Sequence, residues 1–196
     1  MYGKLNITEN HLQALSLFTK GFDKEYYIRE VERLLRISPR TAQIILDDLE
    51  KKAVLESRMR GKIKSYRIKR SDAAIDYLVL VEHYKKISFM EKRLMVKEIT
   101  AKITPFIHGI GIVFGSYAKG LEKKDSDIDI FIAGKCDKEG VESVAQLYGI
   151  EISVKVYPAR AFESGLRKDI LIKEVLENHV IFMDAEKFVR MVMRNG

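Results

Sequence analysis

Two neighbouring stretches decide the fold of this chain: Val113–Gly120, with the sequence VFGSYAKG, and Asp125–Ile132, with the sequence DSDIDIFI. In the first stretch an apolar run ends in Gly-Ser, a pattern that predicts a strand, a turn and the start of a helix. In the second, two aspartates two residues apart lie within an apolar run typical of a buried strand. Side chains at positions i and i+2 of a strand project from the same face, so Asp127 and Asp129 should present two carboxylates side by side.

Two adjacent carboxylates repel each other unless a cation lies near them, and hard oxygen ligands favour Mg²⁺ or Mn²⁺. The Gly-Ser turn exposes backbone N–H groups and the Ser116 hydroxyl, which can hold phosphate oxygens. The alternative interpretation makes Gly115 and Gly120 simple turn residues and places the aspartates on a solvated edge strand. The isoleucines that alternate with the aspartates favour a buried strand instead. A phosphate-binding turn beside two metal-binding carboxylates predicts phosphoryl or nucleotidyl transfer with a nucleoside triphosphate.

This arrangement resembles the nucleotidyltransferase superfamily that includes DNA polymerase β, whose signature is Gly-Ser or Gly-Gly, a loop, and Asp-x-Asp on a strand. Ten residues separate Ser116 from Asp127 here, and the wider pattern is similar to the minimal nucleotidyltransferase branch. The resemblance implies Mg²⁺-dependent transfer of a nucleoside monophosphate from a triphosphate to an acceptor hydroxyl. It also implies that Asp127 and Asp129 are catalytic metal ligands. The nucleotide-binding residues that it implies are Gly115, Ser116, Lys119 and Ser126.

A third acidic residue, often the base that activates the acceptor, usually comes from a later strand in this superfamily. The corresponding run here is Ile150–Tyr157, with the sequence IEISVKVY. When this run is matched to the superfamily strand, Ser153 falls at the acidic position. Glu151 lies on the same face two residues earlier, so we predict Glu151 as the third catalytic residue. Two interpretations stay open: an active transferase, or a domain that only binds or senses a nucleotide.

The net charge of +7 belongs to the N-terminal third of the chain. Residues 1–71 hold 16 Lys and Arg against 9 Asp and Glu, whereas residues 72–196 hold 19 of each. Residues 54–70 contain seven basic residues and one acidic residue. A concentrated basic patch is the electrostatic footprint of a protein that contacts a phosphate backbone, so we expect a nucleic acid as a partner. The alternative is a charged hairpin that only keeps an edge strand soluble.

Helical periodicity and capping residues predict three helices before residue 54. The first follows Thr8 and stops at Gly21, the second contains Tyr27–Leu35, and the third begins with Ser38 as its cap and Pro39 at its first position. Two alternating runs around residues 60–62 then predict a β-hairpin. Three helices and a basic hairpin resemble a winged helix-turn-helix domain of transcription regulators.

In such domains the N-terminal half of the third helix enters the major groove, and the hairpin, or wing, contacts phosphates or the minor groove. Ile44 and Ile45 are expected to be partly or wholly packed. The resemblance implies double-stranded DNA as the partner. It also implies eight DNA-binding residues: Ser38, Arg40, Thr41 and Gln43 on the helix, and Arg58, Arg60, Lys62 and Lys64 on the wing.

The predicted fold class is α+β, in three parts. A winged helix domain covers residues 1–71, a helical connector covers 72–104, and a nucleotidyltransferase-type mixed sheet flanked by helices covers 105–196. The connector is expected to break near Ile87–Phe89, and its apolar stripe packs as core or, alternatively, forms a homodimer seam. The one cysteine, Cys136, is expected in a loop, excludes an internal disulfide framework and fits the reducing cytoplasm. The sequence has no apolar run of membrane length, so no membrane partner is expected.

Overall fold

A computed structural model describes residues 5–195 of the chain. The chain divides between Val81 and Glu82 into an N-terminal and a C-terminal unit. Helices and sheets occur in both, so the fold is of the predicted α+β type. No helix within residues 5–195 combines the length and the apolar character needed to cross a membrane.

The N-terminal unit combines helices with a three-stranded antiparallel sheet of order β1-β3-β2. The β2–β3 pairing runs from Leu55 and Ile68 to Arg60 and Ile63, which makes a hairpin with a tight turn. The elements are α1 (Glu9–Phe18), β1 (Tyr26–Tyr27), α2 (Ile28–Leu35), α3 (Pro39–Lys51), β2 (Leu55–Arg60), β3 (Ile63–Ile68) and the first part of α4 (Asp72–Glu91).

Local capping explains where these helices begin. The Ser38 hydroxyl accepts a hydrogen bond from the backbone N–H of Thr41 at 3.0 Å, and Pro39 occupies the first turn of α3, as predicted. At the start of α1 the side chain that accepts lies within the helix: the Thr8 backbone N–H donates to Nδ1 of His11, three residues later, at 3.3 Å. The apolar faces then close over a core that contains Leu15, Phe18, Val31, Leu46, Leu49 and Tyr66.

Three sequence expectations about element boundaries are wrong. Tyr27 lies in β1 and not in the second helix, because it pairs with Ser65 of β3. The helical connector breaks later than predicted: α4 continues through the buried Phe89 to Glu91, and the break lies before Leu94, where α5 begins. Cys136 is the last residue of a strand and not part of a loop, because the β4–β5 ladder extends as far as its pair with Ile107.

The C-terminal unit contains a four-stranded mixed sheet of order β6-β5-β4-β7, in which β5 is parallel to β6 and antiparallel to β4. β5 is therefore an interior strand and not an edge strand. The elements after α4 are α5 (Leu94–Ile103), a 3₁₀ turn (Thr104–Phe106), β4 (Ile107–Phe114), α6 (Gly115–Lys119), β5 (Ile128–Cys136), α7 (Lys138–Tyr148), β6 (Ile152–Tyr157), α8 (Ala159–Gly165), α9 (Ile170–Glu177), β7 (Val180–Met183) and α10 (Ala185–Asn195).

The two faces of β5 are buried against different partners. Ile128, Ile130 and Ile132 belong to a core with apolar side chains of α5 and α7. Phe131 points to the other face, where its ring centroid is 5.6 Å from that of Phe162, and Phe162 continues to Phe188 of α10 at 6.0 Å. Because side chains alternate along a strand, Asp129 lies on the Phe131 face. Packing on both faces makes β5 a rigid support for that carboxylate.

A buried ionic cluster also stabilises the C-terminal unit. Glu82 is fully buried, and its carboxylate lies 2.8 Å from Nζ of Lys85 and 3.2 Å from Nε2 of His179. His179 is bound to the backbone through Nδ1, 2.9 Å from the carbonyl oxygen of Leu176. The cluster fixes the C-terminal half of α4 to the turn between α9 and β7.

Candidate active site

The candidate active site lies where the end of β4 meets the start of β5. Phe114, the last residue of β4, pairs with Asp129 of β5, and the next residue, Gly115, begins α6. Gly115 has a φ of +67°, a conformation that favours glycine. A Cβ atom at this position would overlap Oδ2 of Asp129. The backbone of the Gly-Ser turn is therefore in direct contact with the Asp129 carboxylate.

The turn after α6 is closed by backbone hydrogen bonds. The N–H of Leu121 donates to the carbonyl of Ser116 at 3.0 Å, and Gly120 takes the left-handed conformation at the helix end. Further along the loop, the hydroxyl of Ser126 accepts from the N–H of Lys123 at 2.8 Å. Ser126, predicted as a nucleotide-binding residue, thus shapes the loop that leads to Asp127.

Asp127 and Asp129 differ in exposure. Asp127 is exposed just before β5 begins, whereas Asp129 is half-buried within the strand. Burial raises the pKa of the Asp129 carboxyl, and the nearby charges of Asp127 and Glu174 raise it further. Lys155 and Lys119 act in the opposite direction. A carboxylate in this position is stabilised by any added positive charge.

The set of donors fits a magnesium ion that is held jointly with phosphates. Mg²⁺ is usually bound by one or two carboxylates together with the oxygens of a substrate. Asp127 and Asp129 provide two carboxylates at the start of β5, next to the half-buried turn at Ser116. Within residues 5–195 no three His, Cys, Asp or Glu side chains are grouped so that they could hold a metal ion without such help.

The register of β6 decides which side chain lies beside Asp129. Ser153 pairs with Asp129, and Lys155 pairs with Phe131 on the same parallel ladder. Glu151 precedes the strand and is exposed, and its backbone carbonyl accepts from the N–H of Ile128 at 3.0 Å. The neighbour of Asp129 is therefore a hydroxyl, and Glu151 stands beside the start of β5.

Lys119 forms an ion pair with another element of the C-terminal unit. Its Nζ lies 2.7 Å from Oε1 of Glu174, a residue of α9 that is 55 positions later in the chain. Sequence reasoning missed Glu174, because an acidic residue on the exposed face of a short helix carries no signal of its own. The pair contributes one positive and one negative charge to the surroundings of Asp129.

A second missed residue holds the loop that carries Asp127. Nε and Nη2 of Arg93 both lie 2.7 Å from Oε1 of Glu122. The guanidinium also stacks over the Phe89 ring at 4.5 Å. Arg93 therefore connects the start of the 120–127 loop to the junction of α4 and α5. The sequence did not reveal this role, because an arginine between two helices belongs to no recognisable motif.

In the N-terminal unit, the residues predicted to contact DNA fall into two groups. Ser38 and Thr41 are engaged with each other at the start of α3, with their hydroxyls 2.8 Å apart. Arg40 is exposed and its Nη1 donates to Oε1 of Gln43 at 3.3 Å. On the same helix Ile45 is buried and Ile44 is 52% exposed.

Several basic side chains of the hairpin are paired within their own unit. Arg58 and Arg60 lie 2.5 Å and 3.3 Å from the carboxylate of Glu25. Nζ of Lys64 lies 2.7 Å from Glu50 and 3.2 Å from Asp47, both on α3. These contacts neutralise part of the basic patch, and those of Lys64 fix the hairpin against α3. Lys62, at the exposed tip, makes no ion pair with any of residues 5–195.

Comparisons with known proteins agree with the geometry of the C-terminal unit. Residues 111–194 match the family model described as Nucleotidyltransferase domain. The CCA-adding enzyme of Thermoplasma acidophilum is 32% identical over 91 residues, which cover 43% of this chain and 40% of the relative. A second CCA-adding enzyme from the same species is 32% identical over 91 residues, but only 21% of its length is covered.

The chain thus spans less than half the length of these curated relatives. No solved structure matches it. The two matching comparisons support the nucleotidyltransferase superfamily for the matched segment, which contains Gly115, Ser116, Asp127 and Asp129.

Proposed function

We propose that this protein is a nucleotidyltransferase that moves a nucleoside monophosphate from a triphosphate to an acceptor hydroxyl with the help of Mg²⁺ or Mn²⁺. The observation that carries the proposal is the contact between the Gly115 turn and the Asp129 carboxylate, within the segment that matches the nucleotidyltransferase family model. Asp127 and Asp129 would hold the metal, which supplies positive charge against the phosphate oxygens.

The residues around the aspartates each have a definite task in this proposal. Because Gly115 has no side chain, the Asp129 carboxylate packs directly against the backbone of the turn, which brings the proposed metal ligand next to the proposed phosphate-binding turn. The Ser116 hydroxyl and the Lys119 ammonium bind phosphate oxygens. Lys155 faces the same side of the sheet as Asp129 and adds a second positive charge to the site.

The acceptor hydroxyl needs a base, and we assign this role to Glu151. It directly precedes β6, its backbone carbonyl accepts from the N–H of Ile128 at 3.0 Å, and the neighbour of Asp129 on β6 is the non-acidic Ser153. Glu151→Gln should then lower transfer by roughly 10²-fold, the usual weight of a general base, and leave nucleotide affinity unchanged. Ser153→Asp, which restores an acid at the expected position, is the complementary variant.

Binding of metal and nucleotide is tested by thermal unfolding with Mn²⁺ and a triphosphate. CTP and ATP are the first choices, because the similar proteins are named as CCA-adding enzymes. The wild-type melting temperature should rise with metal and triphosphate together. Asp127→Asn combined with Asp129→Asn should abolish the rise, whereas Asp125→Asn, an exposed control in the same loop, should retain it. Equal shifts in all three proteins would contradict the assignment of the ligands.

The second candidate function is a DNA-binding regulator whose C-terminal unit senses a nucleotide without transferring it. Two observations favour it: the net charge of +7 resides in residues 1–71, and Ser153 occupies the place next to Asp129. In this proposal the N-terminal unit is a winged helix that binds double-stranded DNA through α3 and the hairpin. Incubation with α-labelled triphosphate, DNA and cell extract distinguishes the two candidate functions. A labelled product indicates a transferase. Nucleotide binding without a labelled product indicates a sensor.

A further inference from the structure

The Lys119–Glu174 pair acts electrostatically on Asp129, and its two members belong to separate elements. Lys119 is the last residue of α6, the short helix that begins at Gly115, and Glu174 lies on α9. The ammonium and the carboxylate are 2.7 Å apart, and the two side chains are 33% and 45% exposed. The pair is therefore formed in a place that a solvent-borne ligand can reach.

Charged groups of both signs surround this pair. The charged groups around Asp129 are two further carboxylates, of Asp127 and Glu174, and two ammonium groups, of Lys119 and Lys155. Lys119 is already committed to Glu174, so a triphosphate that binds at Ser116 must compete with a carboxylate for the same ammonium. A partly exposed ion pair is weak in water, whereas a triphosphate carries several negative charges.

We propose that Glu174 is a positioning residue of the nucleotide site: it holds Lys119 in the nucleotide-free protein and releases it to the phosphate oxygens of the bound triphosphate. The inference rests on the proposed function, since it takes Lys119 as a phosphate ligand. The exchange replaces one carboxylate partner of Lys119 by phosphate oxygens and needs no large movement of α6.

The exchange has a consequence for the metal. When Lys119 turns to the phosphates, the Glu174 carboxylate loses its countercharge close to Asp127 and Asp129. The negative potential at the aspartates then increases, which favours a divalent cation. Triphosphate and metal should therefore bind with positive coupling, and by linkage each should raise the affinity of the other by the same factor.

The test is a calorimetric titration of the whole 196-residue chain with CTP and with ATP, first in EDTA and then with Mn²⁺. Glu174→Gln frees Lys119, so the affinity in EDTA should rise by about 3- to 5-fold, the equivalent of a partly exposed ion pair. Lys119→Met should lower the affinity. Glu142→Gln, an exposed change of the same charge on α7, should have no effect.

The double variant distinguishes an exchange from a general change of charge. Glu174→Gln made in the Lys119→Met background should leave the affinity in EDTA unchanged, because no ammonium remains to be released. With Mn²⁺, Glu174→Gln should reduce the gain in affinity that the metal gives to the wild type.

An unchanged affinity of Glu174→Gln, or the same gain in both backgrounds, would overturn the role of Glu174 while the wild type still binds nucleotide. A wild type that binds neither triphosphate in either condition would overturn the proposed function as well. The two failures are therefore distinguishable.

Discussion

Gly115 and Asp129 are in contact across the β4–β5 pair, and the space between the glycine backbone and the carboxylate is too small for a Cβ atom. The contact joins the Gly-Ser turn to strand β5, so the two halves of the candidate site cannot move apart independently. It also explains why this turn needs glycine for two reasons, the positive φ and the close approach of the carboxylate.

Gly115→Ala should damage the site, because the new methyl group must displace the Asp129 carboxylate. Gly149→Ala is the matched control: Gly149 has a φ of +61°, but a methyl group added to it would have no neighbouring atom within 4 Å. Both variants should lose about 1 kcal/mol of stability from the left-handed conformation. Only Gly115→Ala should lose the thermal shift with Mn²⁺ and triphosphate, and a retained shift would argue against the contact.

Lys64→Met should lower the melting temperature of the N-terminal unit, since Asp47 and Glu50 would lose their shared cation. The expected loss is at most about 1 kcal/mol, because the ion pairs are partly exposed. Lys62→Met removes the same charge from the hairpin tip and should leave the stability unchanged. Thermal unfolding of the two variants is the measurement, and equal melting temperatures would contradict the structural role of Lys64.

Glu82→Gln should destabilise the C-terminal unit by about 3 kcal/mol at pH 7, because it breaks a buried ionic cluster. Burial alone would raise the pKa of Glu82, but Lys85 and His179 outweigh it and lower the pKa to about 2. A lowered pKa in the folded state stabilises the protein above the ordinary value of 4.5, and this stabilisation is lost as the pH falls toward 2. The difference from the wild type should therefore shrink between pH 5 and pH 3.

Amide hydrogen exchange of β5 in urea measures this difference within the C-terminal unit. Glu91→Gln, an exposed change on the same helix, serves as the control and should match the wild type at every pH. A difference that stays constant down to pH 3 would show that the charge of Glu82 is not the cause.

Alanine at Arg58, Arg60 and Lys62 together should weaken binding to duplex DNA of any sequence and flatten its salt dependence. Each lost phosphate contact should reduce the slope of log K against log salt by about 0.9. Alanine at Lys97, Lys102 and Lys138, three exposed lysines of the C-terminal unit, removes the same charge and should leave the slope unchanged. Arg40→Ala should instead reduce the preference for the best sequence. Wild-type protein without DNA affinity at low salt would end the DNA-binding proposal.

Local signals predicted much of the fold. The Gly-Ser turn, the apolar run around Asp129 and the cap at Ser38 each determine the conformation of residues close to them in sequence, and the structure has β4, α6, β5 and α3 at these places. The errors arose where long-range pairing outweighed local preference. Tyr27 joined a strand because Ser65 offers it a partner, and α4 continued through residues 87–89 because Phe89 packs in the core.

The sequence by itself determined the motif around Asp127 and Asp129 and the location of the basic charge, since both depend on residue type and short spacing. Only the tertiary structure decided which groups surround the motif. It placed Ser153 beside Asp129 through the β5–β6 register, paired Lys119 with Glu174, and fixed the loop before Asp127 through Arg93. Electrostatic and hydrogen-bonding interactions depend on distance in space and not on separation along the chain, so no local pattern could have revealed these partners.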